Sequence, residues 1–581
     1  MIAAIEERKQ AMSSDAAPSQ AAEARSGGRI LADQLRILGA DTIYCVPGES
    51  YLELLDGLFA HQEAINVVTC RHESGASNMA DAYGKLTGRP GICAVTRGPG
   101  ATNASNGVHT AFQDSTPMIL LIGQVGRDMV DREAFQEIDY RRMFGQMAKW
   151  VAQIDDAARI PEYMARAWKT ALSGRPGPVV LALPEDMLTD VVSVADLRVT
   201  PRARPAPQAQ DIATLQKMIA AAERPMLMVG GPGWSAACAA KAMEFAERLG
   251  LPVTTSFRSQ DYVDNGHDNY VGPVGIAPIP NLRKRLREEV DLLIVVGPRL
   301  GEMTTQGYAL IDIPHPQMTF VHVHPGAEEL GQVYQPDLSI QSDPELFFDA
   351  ADVISVPEGP YVWADWLQAQ RADYLQFQIP TEVPGPVNMG HVVRHMSEVL
   401  PQDTIFTNGA GNYTVWLHRF HQHRAYRTQL APTSGSMGYG VPAAVAAKLQ
   451  HPDRTVVAMA GDGCFMMTSQ ELATAAQHGA DVIYIVVNNG MYGTIRMHQE
   501  RHHPGKVIAT QLVNPDFVAY AAAFGIAGER VLATQDFPAA LKRAQACKGG
   551  YLIEIVVDPE ALTPVQSLSA IRAEGAAQQR G

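Results

Sequence analysis

The sequence predicts an α/β protein built of three doubly wound parallel-sheet domains. Short apolar runs rich in β-branched residues recur along the chain, and each ends in a polar or glycine-rich turn that opens a helical segment. This alternation is typical of parallel sheets covered by helices on both faces. A chain of 581 residues is also too long for a single core. Two proline-containing stretches without apolar periodicity, 191–211 and 380–386, act as linkers, and we expect domains at 28–190, 212–355 and 387–560.

Composition excludes several classes of protein. Apolar residues make up 46% and charged residues 19% of the chain, which favours a globular protein and no membrane partner. The net charge of −15 disfavours nucleic acid as a partner. Six cysteines without a Cys-x-x-Cys motif predict reduced thiols and a cytoplasmic location. Residues 1–26 lack an apolar core, so we expect a frayed leader there and neither a signal peptide nor a membrane anchor.

Apolar runs predict the principal strands of each domain. In the first domain they are 42–46, 65–70, 91–96, 118–124 and 178–184, and in the second 225–229, 290–297 and 318–324. A glycine turn at 230–233 hints at nucleotide binding. It lacks a complete Gly-x-Gly-x-x-Gly and an acidic partner, so a structural spacer is at least as compatible with it.

The third domain contains the most specific polar cluster. A buried-type strand at 456–460 leads into Gly461-Asp462-Gly463, and a second one at 482–487 leads into Asn488-Asn489. Carboxyl ends of neighbouring parallel strands lie at one edge of a sheet, where such sheets bind ligands. A carboxylate from Asp462, an amide oxygen from Asn489 and a backbone carbonyl in the following loop, at Met491, are hard oxygen donors that suit Mg²⁺.

The glycines beside Asp462 would allow close approach of a phosphate, and the helix after them offers free N–H groups. We therefore expect a metal–diphosphate site. The alternative is a tight turn after a buried strand, followed by a polar loop.

These motifs resemble the signature of thiamine diphosphate enzymes, and their order along the chain is most similar to the acetolactate synthase-like branch. The motifs are Arg71-His72-Glu73, Gly98-Pro99-Gly100-Ala101-Thr102-Asn103, Gly123-Gln124-Val125, Gly435-Ser436-Met437-Gly438-Tyr439-Gly440, Gly461-Asp462-Gly463 and Asn488-Asn489. The resemblance covers almost the whole chain. It implies an N-terminal pyrimidine-binding domain with a catalytic glutamate, a central Rossmann-like domain and a C-terminal diphosphate- and Mg²⁺-binding domain.

The resemblance also implies roles for individual residues. Glu73 would be the catalytic glutamate that acts on the pyrimidine ring; among small apolar neighbours it should be desolvated and able to hold or share a proton. Gln124 would line the reaction centre, and His72 would border it. The alternatives are a helix-start charge for Glu73 and a structural core histidine for His72.

The implied site has two sets of residues. Those expected to bind the cofactor are Glu73, Asn412, Tyr413, Gly435, Ser436, Met437, Gly461, Asp462, Gly463, Asn489, Met491, Tyr492 and Gly493. Those expected to bind the metal are Asp462, Asn489 and Met491. Met437 would support the bend of the cofactor, and its alternative is an ordinary core methionine.

The implied function is thiamine diphosphate- and Mg²⁺-dependent decarboxylation of a 2-oxo acid with carboligation. The implied assembly is a homodimer or homotetramer with active sites between subunits, and the partners are small 2-oxo acids or aldehydes. A non-ligating 2-oxo acid decarboxylase, a 2-hydroxyacyl-CoA lyase-type enzyme and a catalytically silent cofactor-binding protein remain alternatives. FAD is possible, but no flavin pattern supports it. Glu49 departs from the pattern of acetolactate synthases. It either enters the active site or is a negatively charged residue at the N-terminus of a helix.

Overall fold

Three six-stranded parallel sheets form the framework in the computed structural model, which describes residues 23–355 and 361–579. Helices cover the sheets, so the predicted α/β, doubly wound fold class is confirmed. Most of the leader prediction falls on residues 1–22, outside the described residues. For its last part the prediction was wrong. Ala24–Ser26 (β1) pairs antiparallel with Val191–Ser193 (β8), because Arg25 bonds Asp33 at 2.6 Å and anchors the strand.

The first sheet has the order β3-β2-β4-β5-β7-β6, and all its pairs are parallel. Its strands are Thr42–Cys45 (β2), Asn66–Thr69 (β3), Gly91–Val95 (β4), Met118–Gln124 (β5), Trp150–Gln153 (β6) and Pro178–Pro184 (β7). Its helices are Gly27–Ile37, Leu52–Phe59, Glu73–Thr87, Pro99–Asp114, Tyr140–Phe144, Ile160–Leu172 and Glu185–Thr189.

The central sheet has the order β11-β10-β9-β12-β13-β14, which is the 3-2-1-4-5-6 order of dinucleotide-binding folds. Its strands are Pro225–Val229 (β9), Val253–Thr255 (β10), Tyr270–Pro273 (β11), Leu292–Val296 (β12), Thr319–His324 (β13) and Leu338–Gln341 (β14). Its helices are Ala209–Ala221, Ala236–Arg248, Pro280–Glu288, Pro344–Ala351 and Ala364–Phe377. The first linker is shorter than expected, because β8 and the helix from Ala209 occupy its two ends.

The third sheet repeats the strand order of the first, as β16-β15-β17-β18-β20-β19. Its strands are Ile405–Asn408 (β15), Gln429–Leu430 (β16), Val456–Gly461 (β17), Ile483–Asn488 (β18), Ala527–Val531 (β19) and Tyr551–Val556 (β20). Its helices are Met389–Val399, Tyr413–Phe420, Gly440–Gln450, Asp462–Met466, Glu471–His478, Gly493–His502, Phe517–Ala522, Phe537–Ala546 and Leu568–Gln578.

One hydrophobic core is shared by the first and third domains, the first domain has a second core on its other face, and the central domain has its own. The helix Glu73–Thr87 packs against Gly440–Gln450, and Tyr439 at the start of the latter donates a hydrogen bond to the buried Asp81 at 2.6 Å. This packing brings the two domains that carry the predicted site together. No helix in the described part of the chain has the length and hydropathy needed to cross a bilayer.

Candidate active site

Asp462 lies at the carboxyl end of β17 and begins a short helix. Its side chain is 2% exposed. One carboxylate oxygen accepts the N–H of Gly463 at 2.8 Å; the other accepts the N–H of Gly490 at 2.9 Å and the Nδ2 of Asn514 at 2.8 Å. Burial raises the pKa of the Asp462 carboxyl, and these N–H donors act against the rise.

No lysine or arginine in the described ranges forms an ion pair with Asp462. A buried carboxylate without a cationic partner is unfavourable, and a bound cation relieves that cost. Among the described residues no cluster of three or more His, Cys, Asp or Glu side chains could hold a metal. The predicted donor set, one carboxylate with the Asn489 amide oxygen and the Met491 carbonyl, fits a hard cation such as Mg²⁺, which usually takes its other ligands from water and phosphate.

The loop after β18 completes this edge. The Oδ1 atom of Asn489 accepts the N–H of Met491 at 3.2 Å, which turns the backbone over the end of the strand. Gly490 and Tyr492 then pair with Leu512 and Thr510 through backbone bonds of 2.8 Å. The predicted ligands Asp462, Asn489 and Met491 are therefore brought to one place, under a second segment of chain.

Aromatic rings explain the glycines of the Gly-Asp-Gly turn. A Cβ atom on Gly463 would come within 2.5 Å of the Tyr492 ring, and one on Gly461 within 3.0 Å of the Tyr413 ring. Both glycines have an ordinary negative φ or helical backbone, so packing of these rings requires them in this structure.

The other predicted cofactor contacts lie on two neighbouring loops. Asn412 precedes the helix Tyr413–Phe420, and its Oδ1 atom accepts the Thr494 hydroxyl at 2.9 Å, beside Gly493. The Tyr413 hydroxyl is buried and accepts the N–H of Gly409 at 2.9 Å. On the second loop Gly435 has a positive φ of 69° and Met437 is half-buried.

Ser436, on the same loop as Met437, donates a hydrogen bond to the Asn106 side chain of the first domain at 3.1 Å. The loop that carries the predicted cofactor-supporting methionine is thus tied to the helix Pro99–Asp114.

Glu73 begins the helix Glu73–Thr87 in the first domain. Its carboxylate accepts the Asn103 amide at 3.0 Å and lies 3.4 Å from where a Cβ on Gly100 would stand, beside the N-terminus of another helix. Glu73 is half-buried in the single chain, which is less than the desolvation expected from its small neighbours.

His72 caps the Glu73 helix, because its Nδ1 atom accepts the N–H of Ser74 at 3.1 Å. The N–H of His72 in turn donates to the buried Glu471 of the third domain at 3.0 Å. Burial raises the pKa of the Glu471 carboxyl. This contact fixes the turn before Glu73 against the third domain within one chain.

Gln124 ends β5, and both polar atoms of its side-chain amide are hydrogen-bonded within the first domain. Its Nε2 atom donates to Ile138 O at 2.9 Å, and its Oε1 atom accepts the N–H of Val125 at 3.0 Å. Glu49 starts a 3-10 turn with its side chain 72% exposed and 3.9 Å from Arg97.

Sequence reasoning missed Asn103, Glu471 and Asn514. The glycine-rich motif that contains Asn103 marked its neighbourhood. Glu471 and Asn514 left no signal, since their partners lie about 400 and about 50 residues away along the chain.

A cavity of about 880 Å³ opens between the three domains, beyond the carboxyl ends of the central strands. The glycine turn after β9 borders it. A Cβ on Gly231 would come within 2.1 Å of Gly297 O, so close backbone approach between two strand ends accounts for this glycine. That packing agrees with the spacer interpretation of the turn.

Three doubly wound domains, with a buried carboxylate at the carboxyl edge of one sheet, form the type of α/β architecture that binds ligands at strand ends. Family models of the thiamine pyrophosphate enzymes match all three domains: the N-terminal TPP binding domain at residues 25–143, the central domain at 212–351 and the C-terminal TPP binding domain at 409–555. The chain belongs to the thiamine pyrophosphate enzyme family. The predicted class of enzyme, thiamine diphosphate-dependent with C–C bond chemistry, is confirmed.

Within the family the chain is similar to acetolactate synthases. It is 32% identical to the acetolactate synthase large subunit of Corynebacterium glutamicum over 544 residues, covering 91% of this chain and 86% of that protein. It is 34% identical to the large subunit of Parasynechococcus marenigrum, covering 89% and 86%. It is 29% identical to the isozyme 2 large subunit of Escherichia coli K12, covering 92% and 96%. The resemblance to the acetolactate synthase-like branch is therefore confirmed.

Proposed function

We propose that this enzyme uses thiamine diphosphate and Mg²⁺ to decarboxylate a 2-oxo acid and to join the remaining acyl unit to a carbonyl acceptor. The observation that carries the proposal is Asp462: a buried carboxylate without a cationic partner among the described residues, held by N–H donors at the edge of a sheet beside the loop that carries Asn489 and Met491. The similarity to acetolactate synthases supports the carboligation step.

In this proposal Asp462, Asn489 and the Met491 carbonyl hold Mg²⁺. Tyr492, Gly493 and the first turn of the helix from Asp462 adjoin the diphosphate. The loops that carry Asn412 and Met437 support the rest of the cofactor. When bound, thiamine diphosphate supplies the electron sink that decarboxylation needs.

Glu73 holds or shares a proton with the pyrimidine ring, and Asn103 orients its carboxylate. His72 fixes the start of that helix. Gln124 borders the reaction centre through its backbone position, since its side-chain amide is bonded within the first domain.

We further propose a homodimer or homotetramer with active sites between subunits and functional domains at 28–190, 212–355 and 387–560. The half-buried Glu73 supports this assembly, because covering by a second subunit would supply the desolvation that a single chain leaves incomplete.

The test incubates the full-length protein with thiamine diphosphate, Mg²⁺ and a panel of 2-oxo acids, with and without aldehydes, and identifies products by mass spectrometry. A 2-hydroxy ketone or 2-hydroxy-2-acyl acid product supports carboligation. An aldehyde as the sole product identifies a non-ligating decarboxylase. In a separate incubation with a 2-hydroxyacyl-CoA, cleavage of that substrate identifies a lyase. An absorption spectrum of the same preparation shows whether a flavin is bound.

A further inference from the structure

A buried arginine of the central domain reaches into the third domain. Arg258 follows β10, has a left-handed φ of 61° and is 7% exposed. Its guanidinium donates to the backbone carbonyl of Gly409 at 2.8 Å and to that of Pro432. Burial lowers the pKa of Arg258 to about 10, and no carboxylate in the described residues forms an ion pair with it. Its two carbonyl bonds must therefore offset an unusual desolvation cost.

Both carbonyls belong to loops that carry predicted cofactor contacts. Gly409 directly follows β15 and leads to Asn412, while Pro432 leads to Met437. The two loops are in close contact, because a Cβ atom on Gly409 would come within 3.2 Å of Ser436 O. A single guanidinium thus joins the bases of two loops.

Hydrogen bonds extend this junction to the metal-site helix. The N–H of Gly409 donates to the Tyr413 hydroxyl at 2.9 Å, and that hydroxyl lies 3.2 Å from the sulfur of Cys464. The same sulfur accepts the N–H of Gly438 at 3.3 Å. Cys464 stands two residues after Asp462, in the helix Asp462–Met466. The network therefore ties together three of the four loops of the third domain that the proposed cofactor site uses; the fourth is the loop that carries Asn489.

We propose that Arg258 is a positioning residue of the cofactor site. Its two bonds hold the Gly409 and Pro432 peptides in the orientation that lets the network close, so the loops with Asn412 and Met437 are ordered before the cofactor binds. This inference deepens the proposed function and rests on it for the identity of the ligand. A preordered site binds more tightly because less ordering free energy is spent on binding.

The test compares Arg258→Met with Arg258→Lys, which keeps the charge. Arg258→Met keeps the side-chain bulk but removes the donor that joins the two carbonyls, so Gly409 O keeps only the Nδ2 of Asn408 and Pro432 O only the N–H of Gly435. Arg424→Met is the matched control, since Arg424 also bridges the third domain to the central one, through Asp264, but is exposed. Hydrogen exchange of the cofactor-free full-length proteins is followed at 409–413 and 433–438, and calorimetry gives the Kd of thiamine diphosphate at saturating Mg²⁺.

For Arg258→Met we expect faster exchange confined to the two loops and a Kd at least about tenfold higher. The exchange rates and the Kd of Arg258→Lys should lie between those of Arg258→Met and wild type, because an ammonium does not span two carbonyls as a planar guanidinium does. The Kd of thiamine diphosphate for Arg424→Met should stay within about twofold of the wild-type value. At saturating cofactor, kcat of Arg258→Met should approach that of wild type, so the loss appears in the KM for the cofactor.

Wild-type exchange and affinity in Arg258→Met would overturn the inference, and so would an increase in exchange spread evenly over the central strands. Should Arg258→Met fail to fold, the comparison of Arg258→Lys with wild type decides. Faster exchange of the two loops in Arg258→Lys supports the inference, and exchange equal to wild type refutes it. The exchange measurement needs no cofactor. A wild-type protein that does not bind thiamine diphosphate would therefore refute the proposed function and still leave the role of Arg258 tested.

Discussion

Asp462 is the residue on which the proposed metal site depends. Replacing it with alanine removes the one carboxylate of the site, and we expect the Mg²⁺-dependent affinity for thiamine diphosphate to fall more than about 100-fold in calorimetry. Asn514→Ala keeps the carboxylate and removes a donor to it and to the Asn488 side chain, so the affinity for thiamine diphosphate should fall about tenfold. Equal affinities in wild type and Asp462→Ala would show that the metal binds elsewhere.

Substitution of Glu73 tests the proposed acid–base role independently of the metal site at Asp462. Glu73→Gln keeps an oxygen that can accept the Asn103 amide but cannot exchange a proton. We expect cofactor affinity within about threefold of wild type and a loss of about 100-fold or more in exchange of the cofactor C2 proton, measured by NMR.

Glu49→Gln is the matched control for Glu73→Gln, because the Glu49 side chain is 72% exposed. Unaltered exchange in Glu73→Gln would remove Glu73 from the mechanism. Slowed exchange in Glu49→Gln would bring Glu49 into the active site instead.

At the scale of elements, the sequence predicts long apolar strands well and misses shorter strands or strands of mixed polarity. Met118–Gln124 and Pro178–Pro184 form as predicted, because central parallel strands are apolar on both faces. Trp150–Gln153 and Ala527–Val531 were missed: both lie at sheet edges, are partly exposed and mix polar with apolar residues. The motifs located the polar turns at the strand ends, but the side chains that bond across domains depend on tertiary packing.

The C-terminal helix Leu568–Gln578 packs on Gly493–His502, the helix that follows the metal loop. Arg572 donates to the fully buried Glu500 at 2.8 and 2.9 Å, and these bonds hold the pKa of Glu500 at about 2. Arg572→Leu leaves Glu500 with Arg496 as its remaining cationic partner among the described residues, so we expect a loss of about 1–3 kcal/mol, reduced because Arg572 is partly exposed.

Hydrogen exchange at 493–502 measures the effect of Arg572→Leu on that helix, and urea unfolding gives the free energy. Arg543→Leu serves as the control, because it breaks a more exposed pair with Glu529 outside this contact. Protection of the helix equal to wild type in Arg572→Leu would mean that the C-terminal helix does not stabilise it.

At the scale of the whole molecule, neutral histidines lie where the central and third domains meet. His418 and His421 are buried, and burial lowers the pKa of each from 6.5 to about 3. The folded state therefore excludes protons that the unfolded chain binds below pH 6.5. The free energy of unfolding is therefore unaffected by these histidines above pH 6.5. It decreases as pH falls toward 3, by up to about 1.4 kcal/mol per histidine and pH unit.

Urea unfolding at pH 7.5 and 5.5 should show this loss of stability. His421→Phe, which keeps an aromatic ring against Phe406, should reduce the pH dependence, whereas His503→Gln at an exposed position should not. A His421→Phe protein with the wild-type pH dependence would show that other groups cause it.

The subunit arrangement can be tested with two inactive variants. Glu73→Gln lacks the first-domain acid and Asp462→Ala lacks the third-domain metal ligand. If each site combines Glu73 of one subunit with Asp462 of another, a mixed dimer contains one intact site, and random mixing of the two variants should restore about a quarter of wild-type activity. If each site lies within one chain, every site keeps one defect and the mixture stays inactive.

The assay needs mild subunit exchange, and a self-mixed sample of each variant is the control. Activity in the mixture would place Glu73 and Asp462 of one site on different chains. That arrangement would account for a Glu73 side chain that is only half-buried in a single chain.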